Sequence, residues 1–333
     1  MWWIWPVYVV LLVAMTFSSI ILARIVDALD KKTKMSGGFL GGILLAGVTS
    51  LPELITSLTA ILLIGNQDMT FGNIIGSNFF DIIVIGVVML CMFNIVKKSQ
   101  LSKNTGILIL LCFMVSLIIL VFNIFNISLV IPAININILS IVFIVFYVFV
   151  VILSGKKDDI EKQEEIEKQT LFSKMSIKQI VLWFVLCAVF LVGVSVGITY
   201  ATDYIATTYS IGSSVAGALF LGVATSLPEV ITCIELTRLG NFNMALNDIY
   251  GSCMFNLLIL TIADIFYFKG TIFTFNTQTL YFLSFMIGAI LLTMLMFLLR
   301  RKNSKISQKG WIYLSLGLIM VAGYILSMVL SAI

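Results

Sequence analysis

Residues 46–58 read AGVTSLPELITSL and residues 222–234 read GVATSLPEVITCI, so one motif occurs twice in the chain. A second pair follows in the same order, IIGSNFFD at 74–81 and IYGSCMFN at 249–256. The offsets of the two pairs are 176 and 175 residues. Two ordered matches at nearly the same offset indicate an internal duplication, and a duplication of this length decides the architecture of the whole chain.

The composition is that of a membrane protein. Of the 333 residues, 60% are hydrophobic and only 11% are charged. Several apolar runs exceed the roughly 20 residues that cross a hydrocarbon core of about 30 Å. These features predict an all-α polytopic membrane protein that is surrounded by lipid and has no nucleic-acid partner. The chain contains no histidine, so any proton transfer within it would have to use carboxylates.

The pattern of hydropathy predicts ten transmembrane helices. They are expected over residues 4–26, 38–64, 69–94, 105–125, 136–154, 179–201, 213–237, 243–267, 277–299 and 310–331. With the N-terminus outside, 19 of the 20 Lys and Arg residues lie at inner helix ends or in inner loops, and only Lys269 lies outside. This asymmetry supports both the number of helices and the orientation, because a miscounted helix would invert every later loop. The expected location is the plasma membrane.

The two motif copies divide the chain into two repeats. Residues 1–155 are predicted to form the first five-helix repeat and residues 179–333 the second. Between them, residues 156–178 form a charged cytoplasmic linker, in which residues 156–174 read KKDDIEKQEEIEKQTLFSK. Five helices separate the copies, an odd number, so the repeats cross the membrane in opposite directions. Many secondary transporters have such inverted repeats, with their binding site near the bilayer midplane.

Polar side chains in these motifs recur at helical spacing. Residues three or four positions apart share one face of a helix, so each motif predicts a face of carboxylate, hydroxyl or amide oxygens. The members of these faces are Thr49, Ser50 and Glu53; Ser77 and Asp81; Thr225, Ser226 and Glu229; and Ser252 and Asn256.

Each TSLPE motif also contains a proline within an apolar helix. Pro52 and Pro228 have no N–H, so the carbonyl groups of Val48 and Ala224 lose their helical partners and the helices should kink. In lipid, a freed carbonyl is tolerated where it lines a cavity or meets a ligand. Carbonyl, hydroxyl and carboxylate oxygens without imidazole or thiolate suit Na⁺, Ca²⁺ or Mg²⁺.

The acidic residues of the spans differ in expected role. A charge at mid-membrane costs at least about 2.5–3.5 kcal/mol and is by default functional, which favours a functional role for Glu53 and Glu229. Asp264 has no acidic counterpart in the first repeat and is expected to be structural, whereas Glu235 and Asp248 flank a short loop and are expected to be solvated. The hydroxyls of Thr56 and Thr232 are expected to bond to their own helices.

The paired TSLPE and GS-x-x-F-(D/N) blocks resemble the two alpha-repeats of the Ca²⁺/cation antiporter superfamily, within it the sodium/calcium exchanger type. The resemblance covers nearly the whole chain. It implies an antiporter, not an enzyme, that exchanges Ca²⁺ for Na⁺ by alternating access and has no cofactor. It also implies that helices two, three, seven and eight enclose the ion sites while helices one and six slide across them.

The resemblance also implies which residues bind the transported ions. The Ca²⁺ site would use the Glu53 and Glu229 carboxylates with backbone oxygens of Thr49 and Thr225. The Na⁺ sites and the remaining ligand positions would involve Ser50, Ser77, Ser226, Ser252, the carbonyls of Ala46 and Gly222, and Asp81 and Asn256. In the best-known prokaryotic exchangers the amide lies in the first repeat and the acid in the second, whereas Asp81 and Asn256 reverse this order.

The sequence is also compatible with different functions. The nearest is a Ca²⁺/H⁺ exchanger or a K⁺-dependent Na⁺/Ca²⁺ exchanger on the same scaffold, with H⁺ or K⁺ as a further transported ion. Paired carboxylates could also serve an intramembrane aspartyl protease, but the duplicated acids are glutamates and the chain has no G-x-G-D motif. A passive cation channel is a third possibility, against which the inverted repeat favours alternating access.

Overall fold

The computed structural model describes residues 2–33, 50–125, 127, 129–131, 136–154, 175–273, 277–301 and 309–332. Ten main helical elements follow one another through this part of the chain. They are α1 (Ile4–Thr33), α2 (Leu51–Ile64), α3 (Gln67–Cys91), α4 (Lys103–Ile124), α5 (Ile138–Ser154), α6 (Ile177–Tyr209), α7 (Ser213–Thr225 with Leu227–Arg238), α8 (Phe242–Phe266), α9 (Thr277–Arg301) and α10 (Gly310–Ala332). A short helix, Phe93–Val96, extends α3.

These elements confirm the predicted all-α membrane architecture. Seven of the described helices are long and apolar enough to cross a membrane, and α7 qualifies as an eighth when its two bent segments are taken as one span. The two shorter apolar helices, in α2 and α5, fall at the second and fifth predicted spans. The second span is described only from Ser50 onward. A ten-helix inverted repeat is compatible with this arrangement.

Helices α1 and α6 are longer than the apolar runs from which they were predicted. Hydropathy marks the part inside the hydrocarbon, whereas backbone hydrogen bonds continue into the polar ends. At the start of α6, the Ser176 side chain accepts from the Gln179 N–H and the Gln179 side chain accepts in return from the Ser176 N–H. This capping box fixes the first turn. Ser210, at φ 55°, ends the same helix in the left-handed conformation.

The two proline motifs break their helices in the same way. Segment Leu227–Arg238 of α7 is bent by 47° from Ser213–Thr225, with Pro228 in its first turn. Ser226, at the break, has φ −83° and ψ −1°, and its counterpart Ser50 has φ −90° and ψ 13° before Pro52. The predicted kink is therefore confirmed at Pro228. Two π-helical turns, Thr59–Ile64 and Gly217–Gly222, were not predicted.

A small hairpin between α4 and α5 was also absent from the prediction. Strands β1 (Val130–Ile131) and β2 (Ile136–Asn137) pair antiparallel. The carboxylate of Asp264 accepts four hydrogen bonds beside this hairpin, at 2.8–3.0 Å, from Asn137 N, Ser140 Oγ, Thr271 Oγ1 and Ile272 N. The donors of all four hydrogen bonds lie in loops or at helix ends, which the Asp264 carboxylate holds together. The structural role predicted for Asp264 is therefore confirmed.

The helices pack as two layers. Helices α3, α4, α5, α8, α9 and α10 supply most of the main apolar core. Helices α1 and α6 lie against each other and share a separate apolar cluster, which meets the main bundle through small or flexible side chains such as Ala60, Met69 and Ala224. One polar contact joins the layers, because Tyr8 Oη donates to the carbonyl of Phe220 at 2.7 Å.

Helices α3 and α7 approach each other through glycine. A Cβ added at Gly72 would overlap the backbone of Ser214, and one added at Gly76 would overlap Ala218. A Cβ at Gly222 would lie 2.7 Å from the Ser77 nitrogen. Small residues permit such backbone contact between membrane helices, and here the contact brings Gly222 within reach of Ser77.

We expect Gly76→Ala to destabilise the protein, because the new methyl group has no room against Ala218. Overpacking of this kind costs roughly 1–3 kcal/mol. The measurement is the temperature at which the detergent-purified protein loses its monodisperse size-exclusion peak. Gly193→Ala is the matched control, since Gly193 is exposed on α6 and a Cβ there meets no atom within 4 Å. An equal melting temperature for Gly76→Ala and the wild type would contradict the close packing.

Candidate cation-binding site

The two repeats meet where α2 and α3 contact α7 and α8. Ser50 Oγ, at the break before α2, lies 3.5 Å from Ser252 Oγ on α8. Ser77 Oγ on α3 lies 3.1 Å from Thr225 Oγ1, and it donates to the carbonyl of Gly222 at 3.3 Å. These polar contacts all join one repeat to the other, and all involve residues of the duplicated motifs.

Equivalent positions of the repeats also contact each other directly. Asn78 and Cys253 correspond at the offset of 175. Asn78 Nδ2 donates to the Cys253 carbonyl at 3.3 Å, and Cys253 Sγ donates to the Asn78 carbonyl at 3.8 Å. Reciprocal contacts of this kind are expected around a twofold axis. This reciprocal pair is compatible with an approximate twofold axis between α3 and α8.

Three carboxylates lie buried around this meeting point. The side chains of Glu53 and Asp81 are 0% exposed, and that of Glu229 is 3% exposed. The charges of Glu53 and Asp81 both act on Glu229, and that of Asp81 acts on Glu53, so the three are electrostatic neighbours. All six carboxylate oxygens lack a hydrogen-bond partner.

Hydroxyl and amide oxygens surround the carboxylates. Thr225 and Ser226 approach the carboxylates of Glu53 and Asp81, respectively, without completing a well-formed hydrogen bond to either. Ser226 Oγ and Asn256 Oδ1 are also buried and unpartnered. Among the described residues, eight of the fourteen buried side-chain polar atoms without a partner belong to this site, and all eight are oxygens. Unpartnered atoms are therefore concentrated here.

No basic side chain on these helices balances the acids. The sequence contains no Lys or Arg over residues 51–96, 211–237 or 242–268. A buried charge without a partner costs several kcal/mol, and acceptor oxygens without donors leave room for a cation. Within the described residues, however, no three Asp, Glu, Cys or His side chains converge closely enough to hold a metal ion. The hydroxyl, amide and carbonyl oxygens would have to complete any cation site.

Most of the predicted site residues come together here. The structure places Ser50, Glu53, Ser77, Asp81, Gly222, Thr225, Ser226, Glu229, Ser252 and Asn256 at the contact between repeats. Ala46 and Thr49 lie outside the described residues.

Thr56 and Thr232 bond to their own helices, as expected. Thr56 Oγ1 donates to the Pro52 carbonyl at 2.7 Å, and Thr232 Oγ1 donates to the Pro228 carbonyl at 3.0 Å. Glu235 is exposed, also as expected.

Asp248 is less exposed than its position beside a loop predicts. Asp248 is only partly exposed, and its charge acts on both Asp81 and Glu229. Its closeness to a loop in the sequence suggested solvent, but it precedes Ser252 by one helical turn and shares that residue's polar face. The i,i+4 spacing could have identified it. Asn78, whose Oδ1 accepts from Asn256 Nδ2 at 2.8 Å, was missed because its role depends on contacts across the repeats.

Comparison with solved structures relates the fold to known exchangers. The H⁺/Ca²⁺ exchanger CAX has a TM-score of 0.69 and 15% identity, with 98% of this chain and 90% of that chain covered. Native YfkE has a TM-score of 0.66 and 16% identity, with coverages of 98% and 91%. The sodium-calcium exchanger NCX_Mj, soaked with 10 mM Na⁺ and zero Ca²⁺, has a TM-score of 0.56 and 22% identity, with coverages of 97% and 99%.

The sequence itself matches a family. The model of the family described as "Sodium/calcium exchanger protein" matches residues 3–155 and 179–333, which include both repeats. The expected relation to the Ca²⁺/cation antiporter superfamily is thereby confirmed. The chain belongs to the sodium/calcium exchanger protein family and is a polytopic membrane transporter.

Proposed function

We propose that the protein exchanges Ca²⁺ for Na⁺ across the plasma membrane by alternating access at the buried carboxylates. The observation that carries this proposal is the set of eight unpartnered oxygens, drawn from both repeats, in segments 51–96, 211–237 and 242–268, which contain no Lys or Arg. Such a set can bind a cation and has no other partner among the described side chains.

Charge explains why exchange is favoured over uniport. Glu53, Asp81 and Glu229 together carry −3 when ionised, and their repulsion in a low dielectric makes an empty site costly to move across the membrane. One Ca²⁺ or several Na⁺ would each lower that cost. Because both ions compete for the same oxygens, the site that has released one ion returns across the membrane only after it has bound the other ion.

The ligand roles follow from position and chemistry. We assign Ca²⁺ to Glu53 and Glu229, with backbone oxygens of Thr49 and Thr225, since Ca²⁺ takes six to eight oxygen ligands, including carboxylates. Further oxygens for Na⁺ come from the four motif serines and from the carbonyls of Ala46 and Gly222. These serines are Ser50, Ser77, Ser226 and Ser252.

Asp81 and Asn256 complete the ligand set as an unequal pair. The Asn256 amide nitrogen donates to Asn78, which leaves its Oδ1 unpartnered and available to a cation. Asp81 carries the third negative charge on α3 instead of on α8. The total charge of the site is the same in either order, but the charge lies on the opposite side of the approximate twofold axis.

The two-layer packing supports alternating access. Helices α1 and α6 form one apolar unit that contacts the ion-binding helices through a limited set of side chains. The hydroxyl of Tyr8 binds the Phe220 carbonyl in the π-helical turn of α7. Movement of this unit across α2 and α7 would expose the site to one side at a time, as expected for inverted-repeat transporters.

A Ca²⁺/H⁺ exchanger is the second candidate. Two observations favour it: three buried carboxylates can carry protons as well as metal ions, and the reversed order of Asp81 and Asn256 departs from the sodium-coupled pattern. A K⁺-dependent exchanger would use the same scaffold with one further cation.

We expect Glu53→Gln to abolish Ca²⁺ uptake into Na⁺-loaded proteoliposomes. The substitution keeps the size of the side chain but removes a charge and one acceptor oxygen. A decrease of at least about a hundredfold in uptake corresponds to roughly 2.7 kcal/mol of lost cation binding. Radioactive ⁴⁵Ca²⁺ measures the flux, and Glu229→Gln should behave in the same way because it is the equivalent residue.

The control for this measurement is Asp203→Asn. Asp203 lies near the end of α6 and outside the duplicated motifs, so the variant removes a charge without changing a residue of the site. Undiminished uptake by Glu53→Gln, with the protein correctly folded by size exclusion, would contradict the assignment of Glu53 as a ligand.

We expect an imposed Na⁺ gradient to drive Ca²⁺ uptake in the wild-type protein, and K⁺ or pH gradients imposed separately to have little effect. Uptake driven by the pH gradient alone would show that the coupling ion is H⁺ and not Na⁺. A requirement for K⁺ would indicate a K⁺-dependent Na⁺/Ca²⁺ exchanger. Fast Ca²⁺ flux without any counter-ion would instead indicate a passive channel.

A further inference from the structure

One difference between the polar faces of the two repeats lies outside the predicted ligand set. Asn73 on α3 corresponds to Asp248 on α8, and each precedes the motif serine, Ser77 or Ser252, by four residues. Each therefore lies about 6 Å along its helix from that serine. Because the repeats are inverted, these two positions mark opposite sides of the central site. Asp248 lies on the side of the central site that faces the loop at residues 239–241. On the opposite side, the equivalent residue is Asn73, which is not a carboxylate.

The surroundings of Asn73 hold it in place. Asn73 is fully buried, and its Nδ2 donates to Thr56 Oγ1 at 2.9 Å and to Ser57 Oγ at 3.0 Å. Thr70 Oγ1 lies 3.4 Å from the Ser57 carbonyl in the same network. These hydrogen bonds join α2 to α3 through the Asn73 amide nitrogen, and they leave Asn73 Oδ1 buried without a partner.

Asp248 lies in the corresponding place but cannot make these contacts. Its neighbour Cys233 occupies the position equivalent to Ser57, and the charge of Asp248 acts on it. A carboxylate has no N–H to donate, so the network around Asn73 has no counterpart here. Asp248 is instead partly exposed, and Thr232 and Glu235 on the facing segment of α7 are exposed as well. Asp248 is therefore the more accessible of the two equivalent residues.

The deeper neighbours of Asp248 are the buried acids of the central site. Its charge acts on Asp81 and on Glu229. The carboxylate oxygens of those two residues are buried and have no hydrogen-bond partner. A fourth carboxylate in this place adds repulsion unless a cation lies between it and the other acids. Coulomb energy scales with charge, so a divalent cation offsets that repulsion twice as well as a monovalent cation in the same geometry.

We propose that Asp248 is an accessory ligand for a divalent cation at the mouth of the site, on the 239–241 side alone. The cation contacts Asp248 as it enters or leaves, between solvent and the carboxylates of Glu229 and Asp81. This inference rests on the proposed cation exchange and adds a side-specific residue to it. It makes the apparent affinity for Ca²⁺ unequal on the two faces of the membrane.

The test is Asp248→Asn, which gives the second repeat the residue that the first has at this position. ⁴⁵Ca²⁺ flux is measured in right-side-out and inside-out membrane vesicles, with Ca²⁺ varied outside each. We expect the KM for Ca²⁺ to rise about tenfold, the lower end of the effect of charged clefts on local ion concentration, only where the 239–241 loop faces the varied solution. The maximal rate and the half-saturation by Na⁺ should change much less.

Two further variants make the result decisive. Asp248→Glu keeps the charge and should keep the wild-type KM, which separates the charge from any packing defect of the Asn variant. Glu235→Gln removes one negative charge from the exposed segment that ends at the same loop, and it should leave the KM unchanged. A similar rise in KM for Glu235→Gln would mean that any negative charge near this loop has the same effect on Ca²⁺ uptake, and it would overturn the proposal.

The remaining outcomes are equally informative. An unchanged KM for Asp248→Asn, or an equal rise from both sides, would refute the accessory ligand while leaving Ca²⁺ exchange intact. A wild-type protein without Ca²⁺ flux under any gradient would instead refute the proposed function itself.

Discussion

Three carboxylates buried without a cationic side chain are the constraint on which the rest of the structure depends. Glu53, Asp81 and Glu229 are at most 3% exposed, and none of their oxygens has a hydrogen-bond partner. Such an arrangement would destabilise a static membrane protein, because the desolvation of each charge is not offset. It is tolerated where mobile cations supply the missing charge. Intramembrane acids are for this reason functional by default. The helix breaks, the hydroxyl groups and the close helix contacts all lie around the three carboxylates.

The duplicated motifs bring these acids together by opposing two polar breaks. Ser50 and Ser226 adopt nearly the same backbone conformation before Pro52 and Pro228, so each repeat points its first helical turn and its Glu toward the shared centre. Glycines on α3 and α7 then allow the backbones to approach closely enough for Ser77 to reach the Gly222 carbonyl. The breaks orient the motif side chains, and the glycines permit the short distance between the two repeats.

The sequence predicted more of the site than of its surroundings. Charged and proline residues in apolar helices are rare and costly, so Glu53, Glu229 and the kink at Pro228 could be identified from the motif alone. The role of Asp264 followed from its missing counterpart. The hairpin at β1 and β2 could not be predicted, because two-residue strands have no periodicity. The π-helical turns also depend on tertiary packing, which hydropathy does not report.

The two repeats are not chemically identical around the site. Equivalent positions that differ include Ser57 and Cys233, Asn73 and Asp248, and Asp81 and Asn256. On one side Asn73 is buried and its amide nitrogen donates two hydrogen bonds, and on the other side Asp248 is partly exposed. An exactly symmetric inverted repeat would have equivalent open states toward both sides of the membrane. These pairs therefore break the symmetry of the two repeats beside the buried carboxylates. The duplication accounts for the paired glutamates, and the divergence of the two copies makes the two sides of the site chemically different.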